Sequence, residues 1–219
     1  MLVIFKALLL SRAFRYVALP LVLLVGSYFG YMEEQGNFHV VTPGEAYRSA
    51  QLDRDEWIHY IKKYNIKSIV NLRGAQPGAK WYEEELSICK ELKLAHYDVP
   101  LDAHCEPSPE EMNQLLKVFK EAPRPVLFHC KSGADRSGFA SAIWKLIVDK
   151  APPSEAKKQL SFKFFHLPFG PAKAMDRAFD KFVKEFQEKK GYVEGTLLGK
   201  SLESSSVLPF CGVSGFQRE

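Results

Sequence analysis

Between residues 36 and 190 the apolar positions switch repeatedly between an extended and a helical spacing, which predicts strands and helices in turn. Residues 36–49 (GNFHVVTPGEAYRS) read as two short strands about a turn at Pro43-Gly44. Trp57, Ile58 and Ile61 place a helix over 53–64, and the β-branched run 66–72 (IKSIVNL) predicts a buried strand ending at Arg73-Gly74. A helix over 83–92 and a strand over 95–99 follow. Ser108-Pro109-Glu110-Glu111 is a capping box with proline at the first helical position, so a helix runs from there to about Glu121. Pro125 leads into a short buried strand at 126–128, then a loop, then a helix from near Ser137 to about Asp149. Pro152-Pro153 breaks the chain, and two helical segments follow at 154–160 and 171–188. Strands alternating with helices predict an α/β domain over 36–190, with a central, mainly parallel sheet flanked by helices. From Gly191 the periodicity is lost, so 191–219 reads as a loosely ordered tail with one short apolar contact at 207–210.

Residues 1–35 are different in kind. Lys6, Arg12 and Arg15 precede an apolar run at 16–31, and Glu33 and Glu34 close it. This pattern predicts a membrane segment with the amino terminus in the cytoplasm and everything after it outside. The run is slightly short of the roughly 20 residues of a full span, although residues 1–10 and the flanking tyrosines extend it. Pro20 is tolerable in a membrane helix. Two readings stay open: a signal anchor that is retained, or a cleavable signal peptide. The only cleavage sites, Gly26-Ser27 and Phe29-Gly30, are mediocre. The expected location is the inner membrane with the catalytic domain outside the cytoplasm, periplasmic in a Gram-negative cell, or export. A buried core helix is the competing reading; the terminal position and basic flanks oppose it.

Composition narrows the function. A formal charge of +4, with Lys and Arg interleaved among Asp and Glu, is no nucleic-acid footprint. The four cysteines, Cys89, Cys105, Cys130 and Cys211, have no zinc spacing and are too sparse for a disulfide scaffold. Neither a metal nor a cofactor is implied.

The chemistry gathers in PVLFHCKSGADRSGFASA at 125–142. Strand, small-residue loop and helix start would turn successive backbone N–H groups into one concavity, a geometry suited to an oxyanion. Cys130 opens that loop. The amides, the helix dipole and Arg136 all favour its thiolate, which makes it a nucleophile. Arg136 offers a planar fork for two phosphoryl oxygens, and Gly133 lets the backbone approach closely.

In that context HCKSGADRSG at 129–138 resembles the HCxxGxxR[ST]G signature loop of the protein tyrosine phosphatase superfamily. NFHVVTPGEAYRSAQ at 37–51 and IVNLRG at 69–74 are similar to bacterial members of its dual-specificity branch, over roughly residues 37–185. The cysteine loop follows several strands and helices, unlike that of low-molecular-weight tyrosine phosphatases. The resemblance implies that Cys130 forms a phosphocysteine and that Arg136 binds the phosphoryl oxygens. It implies that Ser137 eases departure of the thiolate and that His129 supports the loop. Lys131, Ser132, Gly133, Ala134 and Asp135 would supply amides. A general acid is expected about thirty residues upstream, where YDVPLDAHCEP offers Asp98 and Asp102; Asp102, on the loop after Pro100, is preferred, with His104 behind both.

Arg48 and Arg73 are expected to bridge loops by salt links. Lys131 adds positive potential at the rim, and Asp135 opposes it. His39, His59, His96 and His166 are expected to be structural or at the surface, and Phe162, Phe164 and Phe165 to pack a helix or face a membrane. The leading expectation is a phosphomonoester hydrolase of phosphotyrosine or dual-specificity type. A lipid or sugar phosphate phosphatase and a phosphate-binding pseudophosphatase are the alternatives.

Overall fold

The structure, a computed structural model, describes residues 12–196. After helix α1 (Arg12–Glu34), the chain forms β1 (His39–Thr42), β2 (Ala46–Ser49), α2 (Arg54–Tyr64), β3 (Ser68–Asn71), α3 (Lys80–Leu92), β4 (Ala95–Asp98), α4 (Pro109–Glu121), β5 (Val126–His129), α5 (Asp135–Ile147), the short α6 (Pro153–Ala156) and α7 (Lys173–Thr196). The helix starts follow local chemistry. Asp53 caps α2 and Ser108 caps α4, each in a reciprocal capping box with the glutamate three residues on.

The strands form one sheet in the order β1-β2-β5-β3-β4, with β1 antiparallel to β2 and all other pairs parallel. This is the mainly parallel sheet flanked by helices that the alternation predicts. Its strands alternate their side chains between two apolar layers. Val70, Val126 and Phe128 point to one layer, with Leu115, Phe119, Ile143, Trp144 and Phe179 from α4, α5 and α7. Ile69 and Leu127 point to the other, with Trp57, Ile61 and Ile88 from α2 and α3. β5 lies in the middle and is buried along its length. The loop that leaves its carboxyl end therefore emerges between the ends of β2 and β3, the edge at which open parallel sheets bind ligands.

Three expectations need correction. The amino-terminal run does form a helix, but no helix among the described residues is long and apolar enough to cross a membrane. Pro20, Gly26, Ser27, Gly30 and several tyrosines dilute the apolar stretch, and residues 1–11 lie outside the described part. The segment expected to start a loose tail at 191 instead continues α7 to Thr196; residues 197–219, including the contact expected at 207–210, lie outside the described residues. The helix expected over 154–160 splits into α6 and a 3-10 turn at Lys157–Gln159.

Candidate active site

The register of the sheet places the loop. Ser49, His129 and Asn71 stand side by side on β2, β5 and β3. Just beyond them the Cys130 N–H donates to the Ser49 carbonyl at 3.4 Å, and the Leu72 N–H donates to the His129 carbonyl at 2.9 Å. Cys130 thus begins the loop already paired to a neighbouring strand.

The loop's shape follows from where its carbonyls go. The Lys131 carbonyl accepts from the Gln51 N–H at 3.2 Å. The Ser132 carbonyl accepts from Asn37 Nδ2 at 3.0 Å. The Gly133 and Ala134 carbonyls both accept from Arg48 Nη2 at 2.9 Å. In a planar trans peptide the C=O and the next N–H point opposite ways. Four carbonyls drawn out to the scaffold therefore turn the amides of Ser132, Gly133, Ala134 and Asp135 inward, as an anion nest requires.

Gly133 is obligatory in this turn. Its φ is +70°, and a Cβ there would lie 2.6 Å from the Ala50 nitrogen. Gly138 serves the same end one turn later, since a Cβ would come within 3.0 Å of Arg48 Nη2. Arg48 is wholly buried, lies over the Phe164 ring at 4.3 Å, and also donates to the Gln159 carbonyl at 2.7 Å. Burial pulls its pKa down to about 9, with Cys130 and Asp135 acting in the opposite direction. It bridges loops as expected, but through carbonyl oxygens rather than a salt link.

Inside the loop, Cys130 Sγ lies 3.5 Å from Ser137 Oγ, and both residues are buried. Arg136 Nη1 donates to the Leu101 carbonyl at 3.4 Å. Its Nε is buried and has no hydrogen-bond partner among the described residues, so an unsatisfied cationic donor sits beside the inward amides. The contact with Leu101 brings the 99–104 loop over the site. Asp102 is the next residue, with a side chain 39% exposed; its Oδ1 accepts from the His104 N–H at 2.8 Å. Asp98 is placed differently. It ends β4, and its two oxygens accept from Asn71 Nδ2 and from the Tyr82 hydroxyl, each at 2.7 Å. His104 is exposed.

His129 is buried below the cysteine, and its Nε2 meets Glu85 Oε1 at 3.0 Å. His96 Nε2 reaches the same oxygen at 2.8 Å, and Gln51 Nε2 donates to Glu85 Oε2 at 3.1 Å. Burial alone would raise the Glu85 carboxyl, but His129, His96 and Gln51 overcome it and hold it well below the carboxylate range. Glu85 is the main residue that sequence reasoning missed. The signal existed: Tyr82, Glu85, Ile88 and Cys89 form the buried stripe of α3, and a lone charge on that stripe demands a partner. Asn37 was missed as well, and nothing in the sequence marks it.

The rim departs from expectation in one respect. Asp135 does not face the pocket as a free charge; it meets His166, which is fully buried. Lys131 is exposed and has no ion pair among the described residues. Arg73, one residue past Leu72, is near enough to the site for the charges of Arg136 and Cys130 to act on it. Arg73 stacks at 3.5 Å over Trp81 and donates from Nη1 to Gln51 Oε1 at 3.1 Å. It too makes no salt link among the described residues. Burial, then the neighbouring Arg136, lowers its pKa. Phe164 packs in the core against Arg48, whereas Phe162 is exposed on a 3-10 turn.

Residues 36–170, more than half of the chain, match the family described as DSP-PTPase phosphatase fused to NAD+ kinase. No curated protein matches the sequence. Among solved structures, the fold is similar to the core catalytic domain of the PP-IP phosphatase SIW14 from S. cerevisiae in complex with citrate. The identity is 19%, the match covers 71% of this chain and 93% of that one, and the TM-score is 0.51. PTPMT1 in complex with PI(5)P matches at 14% identity over 70% and 98% of the two chains, with a TM-score of 0.51. A mutant form of Tk-PTP matches at 17% identity over 68% and 96%, with a TM-score of 0.53.

Proposed function

Because the chain belongs to the DSP-PTPase phosphatase family whose members are described as fused to NAD+ kinase, we propose that it hydrolyses phosphomonoesters through a phosphocysteine formed on Cys130. The observation that carries this is the loop itself: four carbonyls held outward, the amides of 132–135 turned in, and a buried Arg136 Nε without a partner among the described residues. An oxyanion is the ligand that satisfies such a set of donors.

In the first step the Cys130 thiolate attacks phosphorus, the S–P bond forms as the P–O bond breaks, and Asp102 gives its proton to the leaving oxygen. In the second, Asp102 takes a proton from water, whose oxygen attacks phosphorus. The S–P bond then breaks and the sulfur leaves as a thiolate, eased by the Ser137 hydroxyl 3.5 Å away. His129, held by Glu85, sets the base of the loop. The pseudophosphatase alternative predicts a defect in the nucleophile, the arginine or the general acid, and Cys130 and Arg136 are both present. Cys130→Ser should abolish hydrolysis of phosphotyrosine while phosphate binding persists. Hydrolysis retained by that variant would sink the assignment.

A second reading of the substrate has its own support. Arg73 lies within electrostatic reach of Cys130 and Arg136, Lys131 is exposed on the loop itself, and neither makes a salt link with a carboxylate among the described residues. Such a pair favours phosphomonoesters that carry further negative charge, including lipid and sugar phosphates, over a phosphotyrosine whose only charge is the reacting phosphate itself. Turnover of phosphotyrosine peptides, phosphoinositides and sugar phosphates, with Arg73→Ala alongside, separates the two. An unchanged preference in that variant removes the second reading.

The location we propose is outside the cytoplasm, by export directed by the amino-terminal segment. Basic residues before the apolar run and acidic ones after it support this. Fractionation of cells expressing the full chain tests it; activity confined to the cytosol would overturn it.

A further inference from the structure

His166 has no place in the two chemical steps, yet it is fully buried and bound on both sides. Its Nδ1 lies 2.7 Å from Asp135 Oδ1, and its Nε2 lies 2.8 Å from Asp176 Oδ2. A carboxylate only accepts, so two of them at the two ring nitrogens require an N–H on each. The ring that meets this is the imidazolium. Asp135 is the last residue of the signature loop before Arg136 and lies in the first turn of α5, and Asp176 lies near the start of α7. One cation therefore ties the loop to the far helix.

We propose that His166 is a positioning residue for the phosphatase reaction: held between Asp135 and Asp176, its imidazolium fixes the end of the signature loop and masks the Asp135 charge from the incoming phosphate. The surroundings fit this role. From β2, Arg48 lies over Phe164 at 4.3 Å and interacts with Asp135. Lys163 lies 5.3 Å from the same ring, and His39 meets its edge at 4.8 Å. On α7, Arg177 is paired with Glu106 at 2.9 Å. Arg48 and Lys163 are cations and oppose a further positive charge, so the two carboxylates hold it. Burial likewise would lower the ring's pKa, and the hydrogen bonds to Asp135 and Asp176 outweigh it, raising the value above the ordinary 6.5.

When the ring loses its proton, one carboxylate loses its donor. If that is Asp135, a negative charge is unmasked at the pocket edge and repels a phosphate dianion. The alkaline limb of kcat/KM should then report His166.

The proposal rests on reading the loop as the phosphate site. The test uses the full chain, with kcat/KM for phosphotyrosine followed against pH in the wild type, His166→Asn and Asp176→Asn. In parallel, the ring pKa is read by NMR of histidine-labelled wild type and Asp176→Asn. The expected result is a wild-type ring pKa above 6.5. In Asp176→Asn, which removes one anionic partner, the ring pKa and the alkaline limb should both move down by about one pH unit, a tenfold change in the protonation equilibrium. The limb should lose its His166 component in His166→Asn, leaving only the fall that comes from the need for a protonated Asp102. A limb that stays in place in a folded Asp176→Asn, or a wild-type ring pKa at or below 6.5, overturns the proposal. If His166→Asn does not fold, Asp176→Asn and the NMR titration decide alone. If the wild type turns over no phosphomonoester, phosphate affinity is followed over the same pH range with the same two outcomes, and the missing turnover counts against the reading of the loop.

Discussion

Glu85 on α3 and His129 at the end of β5 meet at 3.0 Å, both fully buried, directly behind the residue proposed as nucleophile. The contact joins a helix to the base of the signature loop, and its removal has two readable consequences. Glu85→Gln loses the charge that accepts from His129, His96 and Gln51. A hydrogen bond to a charged group contributes about 1.5–3 kcal/mol, so a stability loss of that order is expected in urea denaturation, with kcat lowered about tenfold. The pH sign follows from the depressed carboxyl. Its contribution is present above the unfolded value of 4.5 and is lost as pH falls below it. Glu85→Gln should therefore flatten the acid side of the stability curve. Wild-type stability in this variant would remove the contact from the account.

Arg48 is a test of the loop's outer brace. A lysine keeps the charge but not the fork that reaches two carbonyls from one side and Gln159 from the other. Arg48→Lys should leave a folded protein whose affinity for inorganic phosphate drops at least about tenfold, the equivalent of about 1.4 kcal/mol. Inhibition of turnover by phosphate measures it. An unchanged inhibition constant would mean that the amides keep their direction without Arg48.

Gly133 and Gly44 form an internal comparison. Both have positive φ, +70° and +73°, but an added Cβ meets backbone at 2.6 Å only at Gly133; at Gly44 nothing lies within 4 Å. Gly44→Ala should cost about 1–3 kcal/mol of backbone strain and leave catalysis intact. Gly133→Ala should add a displaced loop to a similar strain, and activity should fall well beyond its stability loss. Equal activity in the two variants would contradict the close approach.

Asp102 and Asp98 separate by leaving group. Asp102→Asn should slow hydrolysis of an alkyl phosphate by roughly 100-fold or more, the usual range for a lost general acid, and affect an activated aryl phosphate far less. Asp98→Asn should chiefly reduce stability, because both Asp98 oxygens hold the β3 and α3 neighbours in place. The reverse pattern would exchange the two assignments.

Local signals carried much of this protein into view. A capping box marked α4, the spacing of Trp57, Ile58 and Ile61 marked α2, a β-branched run marked β3, and the spacing from Cys130 to Arg136 marked the loop. Less legible was everything that depends on partners far away in the chain. The expectation that His166 is merely structural or at the surface missed its partners, because Asp135 and Asp176 come to it only through the packing of α5 and α7. Arg48 was expected to seek a carboxylate; it found carbonyls, since the loop's inward amides leave acceptors facing out. The amino-terminal helix formed where hydropathy placed it, but hydropathy overstated its apolar length.

The position of β5 has a consequence for the order of events in the cell. Its pairings run to Ala46 on one side and Ser68 on the other, segments synthesised long before it. The donors that shape the signature loop, Asn37, Arg48 and Gln51, likewise lie near the start of the domain. A nascent chain can lay down β1, β2 and β3 and still lack the strand that joins β2 to β3. Phosphate chemistry is therefore switched on late, when the final parallel strand slots into a gap left open for it, and incomplete chains carry the scaffold without the activity.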